Sequence, residues 1–392
     1  MPDGVQANNH LPNKLPEIFE SFGEARRDGF LAMKAIKDKG IGVVGTFCTY
    51  TPYEVFTAAG LVPVGLCSTS DETIAEAEKT LPRNLCPLIK ASYGFAVADK
   101  CPYMYFSDLV VGENTCDGKK KMYELLGRIK DVYVMDLPQT QYKDSAKLLW
   151  KEEIEALKEK VEARFGVTVT PEDLVRAIKE RNRERVLLKE LYELSKATPP
   201  PMTGLQQLRI LFGSQFKFDH EAKLAELRET IDKIKENYAQ GQRPVPATAK
   251  RIAITGCPMG GATEKVVQAI EESGGVVVAY ENCTGAKQFD RQVSENGNPI
   301  EALAEYYLNI GCAVMTPNKN RLELLGRLCR EFKADGVVEM VLQACQPYSV
   351  ETHTIREFLD GISVPFLSLE TDYSSGDVGQ LKTRAAAFIE ML

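Results

Sequence analysis

The sequence predicts an α/β protein built of two doubly wound parallel-sheet domains with additional helices. Three observations predict it. Short apolar runs alternate with helical stretches between residues 41 and 143, and the alternation resumes from Arg251 to the end of the chain. Each run leads through a turn into a helix, the order that a parallel sheet with right-handed crossovers requires. Between the two regions lies a long stretch rich in Lys, Glu, Leu and Arg at helical period. The expected organisation is a helical segment over 1–40, a first α/β domain over 41–143, a helical segment over 144–240 packing on the first domain, and a second α/β domain over 241–392.

The elements follow in order. Ile18, Phe22, Phe30, Met33 and Ile36 recur at helical spacing, and Gly40 closes that helix. IGVVGTF reads as a strand, Thr51-Pro52 opens a helix, and Gly60 ends it. LVPVGLC is a second strand. In SDETIAEAEKTL, Ser70 with an acidic first turn predicts an N-capped helix. RNLCPLIKASYGFAVA reads as a loop running into a helix; DLVVGENT and DVYVMDLP supply two more strands. The helical middle is broken by TPPPM, and AQGQRPVPATAK is a Pro/Gly-rich linker. RIAITG, VVVAYEN, DGVVEMVLQA and VPFLSLET are the strands of the second domain.

Composition narrows the function. The net charge of −7 argues against a nucleic-acid partner, which needs a basic face. The first forty residues lack an apolar signal-peptide core, and no apolar run approaches a membrane span, so a cytoplasmic protein without a membrane partner is expected. Reduced thiols are expected there rather than disulfides. Only His10, His220 and His353 are present, and no CxxC occurs, which weighs against zinc and dithiol chemistry. TGCPMGGATEK opens a helix but lacks the Lys-Ser/Thr ending of a phosphate loop, so its glycines are read as packing residues.

Ten cysteines carry the strongest signal. Cys48, Cys116, Cys257, Cys283 and Cys345 each follow a predicted strand. In an open α/β sheet those ends line the ligand crevice. Soft thiolates gathered there, with hardly any histidine, favour an iron–sulfur cluster. A single strand-end thiol is as often core filling as a ligand; five are harder to dismiss. Cys86 precedes a helix-opening proline, and Cys312 stands in a connection that could reach the crevice. Cys67 reads as a neighbour of helix-capping hydroxyls, Cys101 as structural at the far end of the sheet, and Cys329 as a helix-interior thiol. Glu54, Glu113, Asp117, Glu281, Glu339, Glu351 and Glu370 flank the crevice, with none distinguished. Ser374, Ser375 and Asp377 read as turn and cap residues.

The contexts NLCP, NTCDGKKK and LQACQPY, around Cys86, Cys116 and Cys345, resemble the 2-hydroxyacyl-CoA dehydratase component D family, which includes benzoyl-CoA reductase subunits. GTFCTYTPYEVFTAAGLVPV, ENCTGAK and LETDYSSGDVGQLKTRAAAFIEML extend the resemblance over nearly the whole chain. It implies that Cys86, Cys116 and Cys345 hold one [4Fe–4S] cubane. The surplus thiols depart from the plain dehydratase pattern and look like the family's double-cubane branch. There Cys48, Cys283 and Cys312 would hold a second cubane, giving an [8Fe–9S] cluster between the domains, with Cys257 and Cys67 as reserves. The resemblance further implies a transient, ATP-hydrolysing [4Fe–4S] activator, a homodimer, and reduction of small multiply bonded substrates. The alternatives are a single-cubane 2-hydroxyacyl-CoA dehydratase subunit, a non-catalytic iron–sulfur electron carrier, and an α/β protein with purely structural thiols.

Overall fold

A computed structural model describes residues 24–257 and 260–392. Ile18, Phe22, His10 and the Pro258-Met259 pair lie outside the described residues. The chain runs α1 (Glu24–Asp38), β1 (Val43–Thr46), α2 (Tyr53–Ala58), β2 (Val62–Gly65), α3 (Ile74–Ala77), α4 (Pro87–Val97), α5 (Pro102–Phe106), β3 (Leu109–Glu113), α6 (Asp117–Leu126) and β4 (Val132–Met135). A helical layer follows: α7 (Asp144–Phe165), α8 (Pro171–Glu193), α9 (Gly204–Gly213) and α10 (His220–Ala239). The second sheet region comprises β5 (Lys250–Gly256), α11 (Gly261–Glu272), β6 (Gly275–Tyr280), α12 (Ala286–Phe289), α13 (Pro299–Leu308), α14 (Lys319–Glu331), β7 (Gly336–Leu342), α15 (Gln346–Gly361), β8 (Phe366–Thr371) and α16 (Val378–Met391).

Both sheets are parallel throughout, in the orders β2-β1-β3-β4 and β6-β5-β7-β8. The two orders are the same arrangement written twice. The chain therefore reverses direction across each sheet between its first and third strands, which is where such sheets open a ligand crevice. The central strands β1, β3, β5 and β7 are almost wholly buried, which is why they read as unbroken apolar runs rather than alternating ones. Gly256 ends β5 at φ +114°, and a Cβ there would collide with the Met340 carbonyl. Only glycine allows β5 and β7 to approach so closely before the chain turns.

One helix differs from the expectation. Ser70 does not cap a helix; its hydroxyl accepts from the Glu72 amide, and α3 starts only at Ile74. An ST-type turn competes with helix nucleation at such residues, and the helix that results is one turn long. The middle helices touch both sheet regions. α8 packs on α2, α12 and α13, α7 on α13, and α9 on α11 and β6. Trp150 of α7 is fully buried and meets Tyr50 edge-on at 6.4 Å, while the Tyr50 hydroxyl donates to the Ile310 carbonyl at 2.9 Å. No helix among the described residues is long and apolar enough to cross a membrane.

Candidate functional site

The matching sheet orders place thiols at equivalent positions in the two halves. Cys48 and Cys257 follow β1 and β5, Cys67 and Cys283 follow β2 and β6, and Cys116 and Cys345 follow β3 and β7. Cys86 stands immediately before α4, and Cys312 lies in the connection after α13. Cys101 precedes α5 and takes the Met104 amide on its sulfur. Cys329 is buried in the interior of α14.

The thiols fall into two groups. In the first, the Cys345 thiol hydrogen-bonds with both Cys86 and Cys257, and Cys116 lies within electrostatic reach of Cys86. In the second, Cys283 lies within electrostatic reach of Cys312, Cys48 and Cys67, and Cys48 within reach of Cys67 and Cys312. Each group of four takes two thiols from each half of the molecule. Tyr373 stands where the groups adjoin, within reach of Cys67, Cys86, Cys257 and Cys345. Cys101 and Cys329 belong to neither. Among the described residues no three His, Cys, Asp or Glu side chains converge as they would on one metal ion. Of the histidines described, His220 faces Glu180 and Glu184, and His353 is exposed beside Glu357.

The turns carrying these thiols are strained. Cys48 itself adopts a left-handed conformation (φ +63°), and Ala344, just before Cys345, does the same (φ +58°). Non-glycine residues held there cost free energy, and such strain collects at functional sites. Burial pushes the Cys48 thiol up to about 12, against the pull of Lys119. Burial likewise raises Cys283, with Lys287 opposing it. Cys86 is raised chiefly by its hydrogen bond with Cys345, and Cys345 chiefly by its hydrogen bond with Cys257. Such thiols stay protonated in water-free surroundings unless a cation takes the proton's place. A soft, buried, nitrogen-poor donor set of this kind fits a thiolate-held iron–sulfur cluster.

Two buried lysines serve the second group. Lys119 Nζ donates to Cys48 Sγ at 2.7 Å while lying over the Phe47 ring. Lys287 is fully buried, pairs with Glu281 at 3.1 Å and donates to the Tyr348 hydroxyl, which sits 3.7 Å from Cys312 Sγ. Beneath them Arg321 joins Glu281, Glu339 and Glu351 and stacks 4.8 Å from the Tyr348 ring centre. Among the described residues no lysine or arginine side chain donates to a sulfur of the first group. Sequence reading missed both lysines. Their signal was a lysine one helical turn after a strand-end thiol, Cys116 to Lys119 and Cys283 to Lys287.

The crevice carboxylates separate clearly. Asp117 and Glu370 are exposed. Glu54 is buried on Arg185 at 2.7 Å and on the Tyr307 hydroxyl at 2.7 Å. Glu281, Glu339 and Glu351 are held by the Arg321 network. Glu113, at the end of β3, has no such cation hydrogen-bonded to it. Its Oε1 accepts from the Thr51 hydroxyl at 2.6 Å, and its buried Oε2 has no partner. Burial raises its carboxyl to about 7, with Lys119 partly offsetting the effect. Ser374 makes turn contacts with Asp372, whereas the Asp377 side chain, at the start of α16, caps no amide and instead holds Lys265 and accepts from the Thr371 hydroxyl.

The family model for 2-hydroxyglutaryl-CoA dehydratase, D-component, matches residues 48–392. A provisionally named dehydratase subunit, YjiM of Escherichia coli (strain K12), is 52% identical over 97% of this chain and 100% of its own length. The (R)-phenyllactyl-CoA dehydratase beta subunit of Clostridium sporogenes is 24% identical over 92% of this chain and 94% of its own. One of the benzoyl-CoA reductase subunits of Thauera aromatica is 21% identical over 89% of this chain and 90% of its own. The match begins at Cys48 and takes in every thiol of both groups, so the chain belongs to the 2-hydroxyglutaryl-CoA dehydratase D-component family.

Proposed function

We propose that this enzyme component is an iron–sulfur reductase: a double-cubane cluster, reduced by a separate ATP-hydrolysing activator, acts on small multiply bonded substrates. The observation that carries the proposal is the presence of two four-thiol groups, each drawn equally from the two halves. Cys86, Cys116 and Cys345 would hold one cubane, with Cys257 beside them. Cys48, Cys283 and Cys312 would hold the other, with Cys67 beside them. The cluster would supply low-potential electrons and iron positions able to take a substrate. The chain's own residues would do the rest. Lys119 and Lys287 offset thiolate charge in the second group. Glu113 keeps a proton at a buried carboxyl near the strand ends where both Cys48 and Cys116 begin their turns. The buried walls exclude water that would quench a strong reductant. A homodimer is the proposed assembly, and the activator contact is proposed to be transient.

A second reading is a single-cubane dehydratase subunit; acyl-CoA dehydratase activity is what the names of the Clostridium sporogenes and other relatives give for those proteins. The deciding experiment supplies an activator, Mg²⁺ and reductant, and compares ATP with a non-hydrolysable analogue. Turnover of a small unsaturated substrate only with ATP supports the reductase. Equal multi-turnover rates with both nucleotides, or full activity without the activator, would sink it. Tight binding of an acyl-CoA would favour the dehydratase.

A further inference from the structure

We infer that a cavity beside Cys48 is the inlet by which a small acceptor-bearing ligand, a compact monoanion, reaches that thiol. The cavity measures about 30 Å³ and is lined by Cys48, Thr51, Arg181, Arg185, Gln288 and Tyr307, among others. It adjoins a larger cavity of about 130 Å³, and the two share Tyr53, Arg181 and Gln288. The larger one is lined also by Glu180, His220 and Lys217 and by none of the thiols. Together they form a route from the helical layer to the second thiol group.

The chemistry of the walls names the ligand. Arg185 is 4% exposed and uses its Nη2 on Glu54 at 2.7 Å, which fixes the guanidinium. Its Nε, equally buried, has no partner. Arg181 repeats the pattern: Nη1 donates to Glu184 at 2.6 Å, and the buried Nε is bare. Gln215 Nε2, in the outer cavity, is also without a partner. Buried donors are seldom left unpaired, because each gives up its solvation with nothing in return. Several around one passage call for a ligand that accepts hydrogen bonds. The paired carboxylates already neutralise much of the guanidinium charge, so the passage suits a single negative charge. A cavity of this size holds roughly two waters, so the inner position takes only two or three heavy atoms.

The inference takes from the proposed function only that Cys48 belongs to the site. Its test uses the full chain stripped of iron, so a failed iron analysis and a failed inlet are told apart. Cys48 is methylated with iodomethane, a two-heavy-atom reagent that transfers its methyl group to the sulfur and releases iodide, and the rate of this labelling is followed by peptide mass spectrometry, with Cys101 as the internal control. Millimolar thiocyanate is the anion probe, and acetonitrile its neutral counterpart. Thiocyanate is expected to slow Cys48 labelling several-fold and leave Cys101 unchanged. Arg181→Gln should remove most of that protection, and Gln288→Trp should slow labelling without any anion. Cys48 labelling indifferent to both thiocyanate and Gln288→Trp would overturn the inlet. Because the first arm uses the unmodified chain, a variant that fails to fold does not spare the inference. Equal protection by acetonitrile would overturn the assignment of an anion.

Discussion

Glu113 and its surroundings show what a single buried group contributes. The folded carboxyl keeps its proton up to about pH 7, whereas an ordinary glutamate in the unfolded chain releases it near 4.5. Between those values the folded state binds the extra proton, so stability falls as pH rises through the window and levels off above it. The full shift corresponds to about 3 kcal/mol. Glu113→Gln keeps the acceptor for Thr51 and removes the charge. The cluster-free variant is therefore expected to match the parent near pH 4.5 and to exceed it by up to about 3 kcal/mol at pH 8. Urea unfolding at several pH values checks this; parallel pH profiles for the two proteins would refute it. At this scale the sequence was only partly legible. Strand-end cysteines announce themselves because the crevice of a parallel sheet lies at strand ends. Which carboxylate lacks a cation could not be read, since Arg185 and Arg321 reach Glu54 and Glu281 from elements 131 and 40 residues away.

The elements were more legible than their ends. All eight expected strands form, and the central four, buried on both faces, leave unmistakable apolar runs. Ser70 misled because a hydroxyl that can cap a helix can equally close a local turn. Thr203 shows the cap working. Its hydroxyl accepts from the Gln206 amide at 3.1 Å while Gln206 returns a bond to the Thr203 amide, a reciprocal capping box. The cap sets the start of α9, whose Gly204 carbonyl then receives the Tyr280 hydroxyl from β6 at 2.7 Å. Thr203→Ala is expected to cost about 1 kcal/mol with an unchanged urea m-value. A loss below a few tenths of a kcal/mol would mean the packing on β6, not the cap, fixes α9.

At the scale of the whole molecule, the two halves are joined by buried polar ties. Arg185 of α8 holds Glu54 of α2, which also takes the Tyr307 hydroxyl of α13. Arg185→Met leaves Glu54 buried with half its partners and should destabilise the chain by about 3–5 kcal/mol. Adding Glu54→Met should recover much of that loss, because the stranded charge is then gone. A double variant no better than the single one would place the cost in packing instead. The helical layer that carries Arg185 was legible as helix and expected on the first domain, but its contacts with the second sheet region were not legible, since composition gives amphipathicity without naming every surface covered.

The proposed cluster of two cubanes would be held by six thiols, Cys86, Cys116 and Cys345 in one group and Cys48, Cys283 and Cys312 in the other, with Cys257 and Cys67 beside them. Iron and acid-labile sulfide counted per chain, after anaerobic purification, test it most directly. About eight irons per chain are expected in the parent protein. Cys116→Ala and Cys48→Ala should each lose iron, one from each group, while Cys329→Ala, buried in α14, should keep the full content. About four irons, with Cys48→Ala silent, would leave a single cubane in the first group. An iron-free chain, or iron lost on replacing Cys329 and retained on replacing Cys116, would rule out a cluster at these thiols.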